Sequence, residues 1–233
     1  MNEKKFLDFS VHKNSIYIKN NKLLKIEENK ILKLLSYISP RRKMIDVGAC
    51  EGYWSVLISP NFDNIQSYEP IFENFKLLES NTKKLKNIKN HNFSLSDRDE
   101  KYDMYSFIDD TNFNSGDSQR CENFISEYVK KFNISENLAD KILKYKKIEV
   151  KSHIYDELNN DDHNLDFINI DVNGDEIKVL KGMLKCIINC KPYLRVISNN
   201  ADIVSDFLKS YDYYLIDDYL QLYACKNREI LIN

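Results

Sequence analysis

The run Asp46-Val47-Gly48-Ala49-Cys50-Glu51-Gly52 places two glycines and two further acids within seven residues. A strand that ends in a tight turn and opens a helix needs glycine at the turn, and a second glycine where a ligand nears the backbone. The spacing is neither the G-x-G-x-x-G of a dinucleotide site nor a P-loop, since no G-K-[ST] follows. An acid inside the turn disfavours phosphate and suits a cationic ligand, such as the ammonium end of an amino acid. Glu69 follows 23 residues after Asp46, near the ~20-residue offset at which an acid on the next strand reaches a ribose hydroxyl pair. An anionic site for an amino-acid moiety beside an acceptor for a ribose describes the two ends of S-adenosyl-L-methionine. The candidate cofactor residues are therefore Asp46, Gly48, Ala49, Glu51 and Gly52, with Tyr53 at the head of the following helix, and Glu69 with Pro70.

The elements that must hold these residues follow from periodicity. Lys43 to Val47 reads as a buried strand, Tyr53 to Ser59 as a helix and Ile65 to Tyr68 as the next strand. Ile71, Phe75 and Leu78 mark a further helix, and His91 to Leu95 a third strand. The rhythm resumes with a strand at Leu165 to Asp171 and a helix through Ile177, Leu180, Leu184 and Ile187. A strand at Tyr193 to Ile197, a helix at Ala201 to Ser210, and a closing hairpin of Tyr213 to Ile216 with Leu220 to Cys225 complete the chain. Alternating strands and helices predict a mostly parallel sheet with helices on both faces and one antiparallel strand from the terminal hairpin. Residues 1–42 read as an N-terminal arm and an amphipathic helix (Ile31, Leu34, Leu35, Ile38), and 43–233 as the main domain. Residues 99–150 break the alternation; stripes at Phe124 to Phe132 and Leu138 to Leu143 predict a helical insertion over the carboxyl edge of the sheet, where such folds bind ligands.

Glycine is scarce: 5 residues, where average usage would give roughly 16. Each survivor is expected where a side chain does not fit, and four of them (Gly48, Gly52, Gly174, Gly182) fall in two short segments.

Over roughly Lys43 to Val196, apart from much of the insertion, the sequence resembles the FkbM family of class I methyltransferases. Met44 to Ser55 resembles that family's opening signature, Tyr68-Glu69-Pro70 its second element, and Ser94-Leu95-Ser96-Asp97 its post-strand turn. Asn114 to Ser118 resembles a loop near the acceptor site. Tyr155 to Leu158, Phe167 to Glu176 and Val179 to Gly182 resemble the C-terminal signature. The resemblance implies a Rossmann-like α/β fold with a seven-stranded sheet, S-adenosylmethionine as cofactor, and adenine contacts from Ser94 and Leu95. There are two departures: the family has Lys where Asn169 stands and Glu where Asn173 stands. Asp171, which also belongs to the cofactor set, is then the first candidate to orient or deprotonate an acceptor, followed by Glu176 and Asn173. Asp175 and Glu176 also suit the first turn of a helix for structural reasons alone.

The function this implies is O-methylation of a hydroxyl on a sugar, glycan, nucleoside or small metabolite. Methylation of an RNA ribose 2′-hydroxyl is an alternative, as is a catalytically impaired, cofactor-binding scaffold or partner subunit, which Asn169 and Asn173 motivate. A net charge of −2 and a pI near 6.1 give no global field toward nucleic acid or anionic membrane, although Arg41 to Lys43, Lys83 to Lys89 and Lys144 to Lys147 are locally basic. Five irregularly spaced cysteines read as reduced core thiols. His12, His91, His153 and His163 lack ligand spacing, so no metal is expected. No apolar run reaches signal-peptide or membrane-span length, which makes the cytoplasm the expected location. Oligomeric state and acceptor identity are not written in the sequence.

Overall fold

A computed structural model describes residues 25–108, 113–120, 145–159 and 163–226, together with 9–10, 18–19, 22–23 and 135. A short antiparallel pair, β1 (Ile18–Lys19) and β2 (Lys22–Leu23), precedes α1 (Lys25–Tyr37), which buries Ile31, Leu34 and Leu35 at helical spacing. The chain then alternates through β3 (Lys43–Val47), α2 (Tyr53–Ile58), β4 (Asn64–Tyr68), α3 (Phe72–Thr82) and β5 (Ile88–His91). Next come β6 (Ser94–Leu95), β7 (Glu100–Ile108), β8 (Phe113–Arg120), β9 (Tyr145–His153) and the single turn α4 (Tyr155–Leu158). The second half consists of β10 (Leu165–Asp171), α5 (Glu176–Gly182), α6 (Leu184–Cys190), β11 (Tyr193–Ile197), α7 (Ala201–Lys209), β12 (Tyr213–Asp217) and β13 (Leu222–Cys225).

Seven strands form the main sheet in the order β12-β13-β11-β10-β3-β4-β5. From β11 to β5 neighbouring strands are parallel, and β13 is antiparallel to both β11 and β12. The chain runs outward from β3 through β4 to β5, then returns to lay β10 on the other side of β3. That reversal opens a crevice at the carboxyl ends of β3 and β10, the place where doubly wound sheets bind ligands. Period-two alternation sends Met44 and Phe167 to the face covered by α1 and α2, and Ile45, Val47, Ile168 and Ile170 to the face covered by α5 and α6. Arg42 closes the other end of the crevice strands. Its guanidinium grips the Asp166 carboxylate at 2.7 and 3.0 Å while its backbone N–H donates to the same group at 2.8 Å.

Residues 99–150 are sheet rather than helix where the structure describes them. β7, β8 and β9 join β6 in a second, four-stranded sheet of order β6-β9-β7-β8. The cause is a short period-two pattern: Tyr102 and Met104 stand opposite Val150 and Ile148 on one face. On the other, Lys101 pairs with Glu149 at 3.0 Å and Lys147 with Asp103 at 2.7 Å. The two helical stripes expected at 124–132 and 138–143 lie outside the described residues. His91 to Leu95 is likewise not one strand. β5 ends at His91, and β6 belongs to the second sheet, pairing with β9. The helix expected through Ile177 and Ile187 breaks at Met183, where Asp156 accepts from the Lys185 and Cys186 N–H groups (2.7 and 2.9 Å) and starts α6. No helix among the described residues is long and apolar enough to cross a membrane.

Candidate functional site

An open cleft lies at the carboxyl ends of β3, β4 and β10. Its floor is the turn after β3. Gly48 has φ +80° and donates to the Tyr68 carbonyl at 3.0 Å, as does Ala49. A Cβ on Gly48 would stand 2.1 Å from the Asp171 carbonyl oxygen, so the ends of β3 and β10 approach more closely than any side chain permits. Gly52, at φ +85°, starts α2, but its nearest neighbour is the flexible end of Leu78.

Glu69, just after β4, is the buried acid of this cleft. One carboxylate oxygen accepts from the Cys50 N–H at 2.9 Å; the other accepts from the Ile71 N–H at 2.9 Å and Asn74 Nδ2 at 3.2 Å. The side chain thus ties the Gly48–Cys50 turn to the start of α3. Burial raises its pKa to about 7 against the opposing pull of these donors. On the opposite wall, Asp171 ends β10 and Val172, Asn173 and Asp175 follow it. Asn173 holds φ +48°, and Asp175 pairs with Lys178 at 3.1 Å.

Of the residues expected from the sequence, Gly48, Glu69, Pro70, Ser94, Leu95, Asp171 and Asn173 line this cleft, whereas Asp46, Ala49, Glu51, Gly52, Tyr53 and Glu176 do not. Asp46 lies one layer beneath, on the α2 face of the sheet. Its carboxylate accepts from Ser55 Oγ and, at 2.8 Å, from Asn169 Nδ2, so a direct meeting with a ligand ammonium is replaced by a buried network. Asn169 Oδ1 in turn accepts from Arg195 Nη1 at 2.7 Å, and the guanidinium lies 4.1 Å from the centre of the Trp54 ring. Ser67, Asp46, Asn169 and Arg195 occupy neighbouring register positions on β4, β3, β10 and β11. They form one polar row across the sheet under the cleft floor. Burial raises the Asp46 pKa, while Ser55, Asn169 and the Arg195 charge pull it back.

Tyr53 is 2% exposed and packs in the α1–α2 core, edge-on to Phe9. Glu176 folds back to accept from the Gly174 N–H at 2.7 Å, and burial raises its pKa. That is the structural role open to a first-turn acid. His91 stacks on Tyr68 with centroids 4.5 Å apart, and burial lowers its pKa to about 4; His153 pairs with Asp99 at 3.2 Å. Cys186 and Cys190 keep their sulfurs 3.9 Å apart, far beyond a disulfide bond. Among the cleft residues that escaped the sequence reading are Asn74 on α3, and Tyr102 and Met104 on β7. The signal for the β7 pair was the alternation Tyr102–Met104 against Ile148–Val150.

The family model described as the methyltransferase FkbM domain matches residues 46–224. The chain belongs to the FkbM methyltransferase family. An FkbM methyltransferase from Methylobacillus flagellatus KT is 17% identical, with a TM-score of 0.48 over 75% of this chain and 39% of its own. The chain thus spans about two-fifths of that relative's length. A precorrin-6y C5,15-methyltransferase from Geobacter metallireducens GS-15 is 13% identical (TM-score 0.44, 86% of this chain and 79% of that one). An rRNA methylase from Streptococcus thermophilus is 6% identical (TM-score 0.41, 85% and 90%). No curated protein matches the chain.

Within this FkbM domain the two departures from the family signature fall in different places. Asn173 faces the cleft, whereas Asn169 is 2% exposed beneath it and is bonded on both sides. The positive charge missing at position 169 stands one strand away, on Arg195. Gly182, in the last signature segment, is required by packing: a Cβ there would lie 1.9 Å from the Ser96 carbonyl oxygen.

Proposed function

We propose that this FkbM domain is an S-adenosylmethionine-dependent methyltransferase that transfers methyl to a hydroxyl of a sugar, glycan, nucleoside or small metabolite. The observation that carries the reading is Glu69, a buried acid in the cleft, tied through the Cys50 N–H to a turn that only glycine can make. A carboxylate offers about four acceptor sites, and three protein donors leave room for a ribose hydroxyl on the oxygen that Cys50 binds. When bound, the cofactor supplies a methyl group on a sulfonium, which is displaced in line. The chain's part is to hold donor and acceptor in near-attack geometry.

Gly48 brings backbone close enough to the cleft for the amino-acid end to dock, and the Asp46–Asn169–Arg195 row keeps that turn in place from below. Asp171, on the far wall, orients the acceptor hydroxyl or takes its proton, with Asn173 as a neutral hydrogen-bonding neighbour. Glu176 is held by Gly174 and acts on the turn rather than on substrate. The burial of Asn169 supports the catalytic reading over the scaffold reading, because that departure lies outside the cleft.

Calorimetric titration with S-adenosylmethionine tests the proposal. Micromolar binding, weakened tenfold or more by Glu69→Ala, is the expected result; no heat from a folded protein overturns it. Transfer of labelled methyl to a panel of sugars, glycans, nucleosides and RNA then finds the acceptor. An RNA acceptor would reveal itself by steep loss of binding with salt.

A further inference from the structure

The residues of the turn after β3 are fastened one after another. The Gly48 and Ala49 N–H groups donate to the Tyr68 carbonyl, and the Cys50 N–H donates to Glu69. The next fastening comes from α3, where Asn81 Nδ2 donates to the Glu51 carbonyl at 2.8 Å. The same amide grips the backbone of Ser10: Nδ2 donates to the Ser10 carbonyl and Oδ1 accepts from the Ser10 N–H, both at 2.7 Å. This exchange of two bonds reproduces one rung of an antiparallel ladder, with a side chain in place of a strand. Beside it, Phe9 stands edge-on to Tyr53, the first residue of α2, with ring centroids 6.2 Å apart, and packs against the α1–α2 core.

Both Nδ2 protons of Asn81 go to carbonyl oxygens and its Oδ1 takes an N–H. The opposite flip of the amide would set its oxygen against two carbonyls, so the Ser10 backbone fixes the orientation in which Asn81 holds Glu51. The same helix presses on the next residue of the turn, since a Cβ on Gly52 would meet Leu78 and Thr82. Resting on the cofactor reading given above, we propose that Phe9–Ser10 is a strap that holds the Gly48–Gly52 turn in its ligand-binding shape, with Asn81 as the positioning residue. Strap and ligand share one turn without sharing a residue: Gly48 and Cys50 line the cleft, whereas Glu51 and Asn81 do not. Coupling of this kind is reciprocal. A strap that improves ligand affinity is itself held more tightly, by the same factor, once the ligand is bound.

The test joins calorimetry with S-adenosylmethionine to hydrogen exchange at the Ser10 amide, with and without S-adenosylhomocysteine. Saturating ligand should slow exchange of the Ser10 amide about threefold or more. Asn81→Ala should weaken S-adenosylmethionine binding about fivefold, the worth of one hydrogen bond. Phe9→Ala should weaken it about threefold, and the double variant by less than the product of the two losses. Asn87→Ala is the control. It removes a comparable amide from the Ser59 and Phe62 carbonyls, and should lower the thermal midpoint while leaving affinity unchanged. If ligand leaves Ser10 exchange unaltered, or if Asn81→Ala loses no more affinity than Asn87→Ala, the strap only stabilises the fold and the inference falls while cofactor binding stands. Ser10 exchange in the wild-type protein decides the matter even where Asn81→Ala does not fold. If the wild-type protein binds neither compound, the cofactor reading falls and takes this inference with it.

Discussion

Replacing Asn169 with Lys puts an ammonium where Asn169 Nδ2 now donates to Asp46 at 2.8 Å, with the Arg195 guanidinium already 2.7 Å from the other side of the amide. One buried carboxylate would then face two buried cations. An uncompensated buried charge costs about 3–5 kcal/mol, roughly a fifth or more of the stability of an ordinary domain. Arg195→Met alone removes the bond to Asn169 Oδ1, about 1–3 kcal/mol for a buried acceptor left unpaired. It also removes the stacking on Trp54, about 1–2 kcal/mol. The double variant Asn169→Lys/Arg195→Met restores one cation to one carboxylate, moved by one strand. It should be more stable than the sum of the single losses predicts by about 3 kcal/mol. Urea unfolding of the four proteins at pH 7.5, with unchanged m-values, measures this coupling. An additive cycle, or an Asn169→Lys protein as stable as the wild type, would refute the claim that Arg195 supplies the charge for position 169.

Three further outcomes follow from the same structure. The Glu69 pKa is raised to about 7 from 4.5, so its contribution is fully present below pH ~4.5 and is lost as pH rises through about 7. At 1.36 kcal/mol per unit this reaches about 3 kcal/mol. The ligand-free thermal midpoint should fall over that window and flatten in Glu69→Gln. S-adenosylmethionine affinity should rise over the same window, since ribose hydroxyls donate to the ionised carboxylate; flat affinity by calorimetry contradicts the role. Gly48→Ala meets the Asp171 backbone at 2.1 Å with φ +80°, whereas Gly174→Ala, at φ +106°, meets nothing within 4 Å. The first should cost more than about 2 kcal/mol and abolish cofactor binding, the second only backbone strain of about 1–2 kcal/mol, both read by thermal melts. Asp217 is buried, which alone would raise its pKa, but donors from Lys33, Tyr37 and the Leu220 N–H hold the carboxyl below the usual range. Its contribution is present at neutral pH and is lost as pH falls through that lowered pKa. Asp217→Asn should cost about 1–2 kcal/mol at pH 7 and remove part of the acid limb of a melt series from pH 3 to 7.

Much of the fold was legible because buried parallel strands carry short, nearly continuous apolar runs. Lys43–Val47, Leu165–Asp171 and Tyr193–Ile197 coincide with β3, β10 and β11 to the residue. Glycine scarcity was informative for a local steric reason: Gly48, Gly52 and Gly174 adopt positive φ, and Gly182 touches the Ser96 backbone. The acid at the end of the second main strand was legible too, since a fixed βαβ geometry sets its distance from the glycine turn.

The second sheet was not legible. Its pairing of β7 with β9 joins residues 38 to 52 positions apart in the chain, so no hairpin signal announces it. The face taken by Asp46 was equally hidden. A shift of one residue exchanges cleft-facing and core-facing positions, and only the register among β4, β3, β10 and β11 fixes that shift. What local sequence dictated was the order of the main-sheet elements, the glycine turn and the acid after the second main strand, because each rests on contacts within one βαβ unit. The partners of Asp46, the place of Arg195 beside Asn169 and the Tyr102–Met104 wall of the cleft came from tertiary packing, because each joins side chains from strands that only the packed sheets bring side by side.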